Sequence, residues 1–247
     1  METVDAHALE AVAARAWPAL VAEPLGGWTL RFSGGGGRRV NSVLPLAASG
    51  ALGLYERIGA SERFYAARGA AARFQLSPAA APAGLEAALR RRGYRDEAPT
   101  DVLVCDLAPI AAAPARLDGV AIGSRPGPAW LAAWERRGPQ AEAILEWVPP
   151  PAAFATIAGA DGAVCAIGRG AVEGSWLGVF DMATRPEARR RGAATAVLVA
   201  LARWGRAAGA RRAYLQVEVA NDGARAFYRR FGFARHHGYR FLVQPRA

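Results

Sequence analysis

Val179-Phe180-Asp181-Met182-Ala183-Thr184-Arg185-Pro186-Glu187-Ala188-Arg189-Arg190-Arg191-Gly192-Ala193-Ala194 reads as a strand running out, a proline-punctuated loop and the opening of a helix. Such a junction collects unpaired backbone N–H groups and the positive end of a helix dipole. Gly192 lets an anion approach the backbone, Ala194 is small enough not to block it, and the arginines add charge that amides cannot. Taken alone, three arginines before a glycine also describe a solvated helix start, so the flanking segments decide.

Downstream, the pattern predicts a helix to about residue 208, a strand over 212–218, a helix over 223–231 and a strand over 239–243. Upstream lie a short strand at 120–122 and helical segments near 129–137 and 139–147, which Pro149, Pro150 and Pro151 end. Strands over 154–158, 163–168 and 175–182 follow, the first two joined through the hairpin signal Asp161-Gly162. In the first half we expect helices over 6–17, 52–68 and 82–92 and strands over 28–32, 40–46, 73–77 and 101–107. Gly34 to Gly37 reads as a turn between strands, because no helix follows it. Residues 108–118, rich in alanine and proline, read as a linker. The order is that of a mixed α/β (α+β) chain.

A weak repeat ties the halves together. Arg73-Phe74-Gln75-Leu76 matches Arg212-Ala213-Tyr214-Leu215 at an offset of 139, and the same offset carries Arg90-Arg91 onto Arg229-Arg230 and Gly93-Tyr94 onto Gly232-Phe233. Pro82 and Leu89 then stand opposite Asn221 and Tyr228, so the first copy lacks the polar residues of the second.

The chain has 247 residues, 52% of them hydrophobic, enough for two cores. No apolar stretch approaches the roughly 20 residues of a membrane span. The N-terminal residues lack the pattern of a secretory signal. With only Cys105 and Cys165, both in apolar runs, a reducing cytoplasmic location is expected. The formal charge is +10, and all 31 basic residues are arginine. Neither a basic stripe interleaved with aromatics nor a nucleic-acid module is visible, so an anionic small ligand is the simpler partner.

From Val179 to Phe233 the chain resembles the GNAT acetyltransferase superfamily, whose signature Arg/Gln-x-x-Gly-x-Gly/Ala stands here as Arg189-Arg190-Arg191-Gly192-Ala193-Ala194. The later signature reads Asn221, Ala224, Tyr228 and Gly232-Phe233. The first half resembles the degenerate leading unit of two-domain bacterial GNAT proteins. The resemblance implies a degenerate GNAT-like domain over 1–110 and a catalytic one over 116–247, each a mixed, mostly antiparallel sheet flanked by helices. It implies acetyl-CoA as cosubstrate, no metal, and a small-molecule or peptide amine as acceptor. The assembly would be a monomer or homodimer, with no membrane or nucleic acid as partner.

The resemblance also assigns roles. The strand ending at Thr184 would splay from that at 212–218, and the cofactor arm would pair with backbone near Met182 and Thr184. Arg189, Arg190, Arg191, Gly192, Ala193, Ala194 and Thr195 would bind the pyrophosphate, and Asn221 would contact the arm. Tyr228 would protonate the departing thiolate, a task suited to a phenol with a pKa near 10. Asp181 and Glu218 are the candidate bases, and His236 and His237 are either pocket residues or exposed loop histidines. No cysteine lies near the motifs, so direct transfer is expected. The alternative is a non-catalytic acyl-CoA-binding or sensing module.

Overall fold

The computed structural model describes residues 5–134, 138–159 and 162–245. In chain order its elements are α1 (Ala6–Ala16), β1 (Val21–Leu25), β2 (Trp28–Phe32), β3 (Val43–Leu44), α2 (Leu54–Ala66), β4 (Arg73–Leu76), α3 (Leu85–Arg91), β5 (Arg95–Asp106) and α4 (Leu107–Ala112). There follow β6 (Val120–Gly123), α5 (Pro128–Ala133), α6 (Pro139–Glu146), β7 (Ala152–Ala158), β8 (Val164–Glu173), β9 (Trp176–Thr184), α7 (Ala193–Ala207), β10 (Arg212–Glu218), α8 (Asp222–Arg229) and β11 (Ala234–Val243).

The strands form one sheet of order β1-β2-β3-β4-β11-β5-β10-β9-β8-β7-β6. Among the described residues only β3 with β4 and β9 with β10 pair in parallel, so the fold is a mixed, mostly antiparallel sheet flanked by helices. The repeat is visible in it: in β4-α3-β5 and β10-α8-β11 the first strands begin 139 residues apart, at Arg73 and Arg212, and so do the last, at Arg95 and Ala234. The final strands of the two units have changed places. β11 pairs with β4 of the first unit, β5 pairs with β10 of the second, and β5 and β11 pair with each other. The two halves therefore share main-chain hydrogen bonds at the middle of the sheet.

Four expectations are corrected. Residues 107–112 are the helix α4, because Leu107, Ile110 and Ala111 form a buried face in the core beside α7 that the alanine-proline composition conceals. Only Val43–Leu44 of the strand expected over 40–46 pairs; Arg39–Asn41 is a 3-10 turn, held by side-chain bonds of Asn41. β1 was not anticipated, since it is a largely exposed edge strand that tolerates Pro24. The loop expected around His236 and His237 is the start of β11. Residues 135–137 and Asp161 lie outside the described residues.

Strand alternation sorts β10 between two cores. Ala213, Leu215 and Val217 join the core beneath α7, with Leu198, Tyr228 and Phe233. Tyr214 joins the opposite core, with Leu9 of α1, Trp176, Phe180 and Tyr239. Among the described residues no helix is long and apolar enough to cross a membrane, and no cluster of three His, Cys, Asp or Glu is arranged to hold a metal.

Candidate functional site

β9 and β10 pair through Arg212–Trp176, Ala213–Leu177 and Tyr214–Gly178 and then part. Past that point Val179 to Thr184 continue beside β8, and Leu215 to Glu218 continue beside β5. Each strand thus turns one edge of peptide groups toward a gap. Two features of β9 open it. A Cβ on Gly178 would lie 2.4 Å from the Phe180 ring and 2.6 Å from the Tyr214 hydroxyl, so only glycine fits where the strands separate. Asp181 then adopts φ +53°, and the β8–β9 register shifts between Ile167 and Arg169. Such a bulge bends and twists a strand away from its neighbour.

Beside the gap, Gly192 at φ +88° turns the chain into α7 without any side-chain cap. The N–H groups of Ala193, Ala194 and Thr195 have no intrachain acceptor among the described residues. Arg189, Arg190 and Arg191 are exposed, and Nε of Arg189 donates to the Thr184 carbonyl at 3.3 Å. Met182 and Thr184 are half-buried at the end of β9. The first half differs at the equivalent helix start: the Glu56 carboxylate accepts from Gly53 N at 2.6 Å, filling the N-terminus of α2 with the protein's own anion.

Asn221 starts α8, its Oδ1 accepting from Ala224 N at 3.0 Å. Tyr228 lies on α8 within the α7-side core, its ring edge-on to Phe227 and Phe233 at 5.2 and 5.6 Å. Burial pushes its phenol well above the ordinary tyrosine range, which keeps it protonated. Asp181 is placed otherwise. Its carboxylate accepts from Nε of Arg169 at 2.9 Å, with both side chains almost wholly shielded.

On the face of Tyr214, a cavity of about 1490 Å³ is walled by both halves. Thr100, Gln216, Glu218 and Tyr239 line it from the sheet, and the loop from Gly34 to Arg39 lines it from the first half. Asn41 fixes that loop. Its Nδ2 donates to the carbonyls of Gly35 and Gly37 at 2.7 and 2.8 Å, and its Oδ1 accepts from Ser33 N and Gly34 N, each at 2.9 Å. Glu218 faces this cavity paired with Arg38 at 3.0 Å. His237 is buried away from it, its Nε2 2.9 Å from Glu10 Oε1 and its Nδ1 2.8 Å from Nδ1 of His236. Sequence reasoning passed over Arg38 and Arg39, which follow four glycines and carry no spacing signal; only the fold brings them to β10.

The profile of the family described as probable histone acetyltransferase Rv0428c, C-terminal, matches residues 3–242. The chain is 28% identical over 241 residues to the uncharacterized N-acetyltransferase YobR of Bacillus subtilis (strain 168), covering 93% of this chain and 95% of that protein. Among solved structures, a GCN5-related N-acetyltransferase from Kribbella flavida superposes with TM-score 0.71 at 17% identity, over 100% of this chain and 98% of that one. A tandem GNAT protein from the clavulanic acid biosynthesis pathway superposes with TM-score 0.60 at 13% identity, over 77% of this chain and 70% of that one.

Proposed function

This chain belongs to the acetyltransferase family whose profile spans it and is an N-acetyltransferase of the GNAT type, and from that premise we propose that it transfers acetyl from acetyl-CoA directly to a primary amine. One observation carries the reading: the pairing of β9 with β10 stops after three residue pairs beside the uncapped start of α7. A pyrophosphate suits free N–H groups flanked by Arg189, Arg190 and Arg191, and an amide-bearing arm suits the unpaired edges near Met182 and Thr184. Residues 116–247 carry this donor site, with Asn221 at its α8 side. The first half walls the acceptor cavity together with Gln216, Glu218 and Tyr239 of the second, and the Glu56 carboxylate closes its own helix start to an anion.

The residues divide the proton work across the sheet. Attack by the amine forms the C–N bond, the C–S bond breaks, and the amine proton leaves to a carboxylate while the thiolate takes one. Tyr228 is the acid, held protonated by burial. Asp181 is held by Arg169 in a pair shut off from water and serves to fix β9, whereas Glu218, which lines the cavity together with Glu97, remains exposed there beside Arg38 and is the base, directly or through water.

Acceptor-dependent release of the CoA thiol, measured with acetyl-CoA against a panel of amines, tests the reading. Acetyl-CoA binding without any such release would replace it with the sensing module.

A further inference from the structure

Three buried side-chain groups near the opened strands have no hydrogen-bond partner among the described residues: Nη1 of Arg39, the hydroxyl of Tyr214 and Nε2 of Gln216. They belong to one neighbourhood. The Arg39 guanidinium lies over the Phe180 ring, 5.5 Å from its centroid, and that ring stands edge-on to Tyr214 at 5.8 Å. Gln216 is two residues beyond Tyr214 on the same face of β10, and its Oε1 is already engaged by the Tyr239 hydroxyl at 3.5 Å. Burial raises the phenols of both Tyr214 and Tyr239, while the charge of Arg39 pulls each back, as a guanidinium close to both requires.

Arg39 also differs from its neighbours in having no acid. Arg38 is paired with Glu97 and Glu218, and Arg73 with Glu97, but no carboxylate meets Arg39 among the described residues. Arg39 itself is half-buried on the cavity, and its Nη1 is the shielded part; a donor nitrogen closed to water without an acceptor is costly, so that atom calls for one. The groups on offer are donors, and a guanidinium joined by an amide N–H and a phenol O–H complements the two oxygens of a carboxylate. The cavity agrees: its ionisable lining has five arginines against Glu97 and Glu218. A cationic peptide such as a histone tail is poorly matched to that lining. The position is also right, because the Tyr214 hydroxyl sits over Gly178, where β9 and β10 part.

We propose that the acceptor amine carries a carboxylate, and that Arg39, with Gln216 and Tyr214, clamps it at the mouth of the strand gap. The inference rests on the acetyl-transfer reading above and narrows its substrate class. Arg39 comes from the first half and its two partners from the second, so the site exists only in the joined chain.

The test uses matched pairs: amino acids with their primary amides, and ω-amino acids with the amines that lack the carboxylate. CoA thiol release is expected to favour the acid of each productive pair by on the order of 100-fold in kcat/KM. Arg39→Gln should remove that preference, chiefly through KM for the acid. It should leave the acetyl-CoA dissociation constant unchanged and the melting temperature equal or higher. Gln216→Leu, which keeps Arg39, should weaken the acid about 10-fold. Equal turnover of acids and amides, an unchanged KM in Arg39→Gln, or acetyl-CoA binding with no member of any pair turned over would each overturn the carboxylate clamp. Failure of the wild-type chain to bind acetyl-CoA in calorimetry would bring down the donor-site reading itself.

Discussion

Asp181 accepts a 2.9 Å hydrogen bond from Nε of Arg169, and both side chains are shut away from water. The same guanidinium lies over Trp17 at 4.8 Å and Phe180 at 4.3 Å and donates to the Ala16 carbonyl at 3.1 Å. The pair thus pins the bulge of β9 to the end of α1. Asp181→Ala leaves a buried guanidinium without its counter-charge and should destabilise the fold by about 3–5 kcal/mol. Replacing both residues with leucine and methionine should cost much less. Denaturant unfolding of the single and double variants checks this; equal losses would show that the charge pairing is not the source.

Tyr228→Phe keeps the ring contacts with Phe227 and Phe233 and removes only the hydroxyl, which makes no intrachain hydrogen bond among the described residues. Stability should change little. Turnover should fall about 10²–10⁴-fold, the usual range for loss of a positioned acid, with acetyl-CoA affinity nearly intact. Steady-state kinetics alongside calorimetry decide it, and undiminished turnover would remove Tyr228 from the mechanism.

Gly192 stands at φ +88° with open space where a Cβ would go, so a larger side chain there meets backbone strain rather than a clash. Gly192→Val should incur about 1–2 kcal/mol of strain that the loop relieves by changing shape. Acetyl-CoA affinity should drop about tenfold or more. Wild-type affinity would count against this loop as the anion site.

Asn41 spends its whole side-chain amide on the glycine loop. Asn41→Ala should cost about 2 kcal/mol, allowing about 0.5 kcal/mol net for each of the hydrogen bonds lost. It should also raise KM for the acceptor while sparing acetyl-CoA binding. A variant whose KM for both substrates rises together would argue that the loop does not act on the acceptor alone.

Glu97 links Arg38 and Arg73 at 3.0 and 2.7 Å beneath the same loop. Burial pushes its carboxyl up, but the hydrogen bonds and charges of the two arginines outweigh this and hold it below the ordinary range. A depressed carboxylate stabilises the fold above its unfolded pKa and loses that contribution as pH falls through its folded value. Glu97→Gln should therefore melt below wild type near neutral pH, with the gap closing from about pH 4 downward. A gap independent of pH would contradict the linkage.

The sequence alone determined what short-range chemistry encodes. Pro186, Gly192 and the small residues after it specify a strand-to-helix turn with free N–H groups, and Asn221 and Tyr228 follow at helical spacing. The β10 strand, 212–218, is legible because Ala213, Leu215 and Val217 recur at two-residue spacing between Arg212, Gln216 and Glu218, with Tyr214 the one apolar residue on the other face. Tertiary structure decided everything that depends on which strands become neighbours. Nothing in the residues of β5 or β11 says that they trade places, because alternation sets which face a side chain takes and not which edge the strand joins. That exchange carries the first half up to β10 and sets Arg39 beside Tyr214 and Gln216. The bulged β8–β9 hairpin gives Asp181 a buried partner twelve residues away on β8, so of the two candidate carboxylates the one beside the arginine loop in sequence is held by Arg169, and Glu218 is the one that lines the cavity.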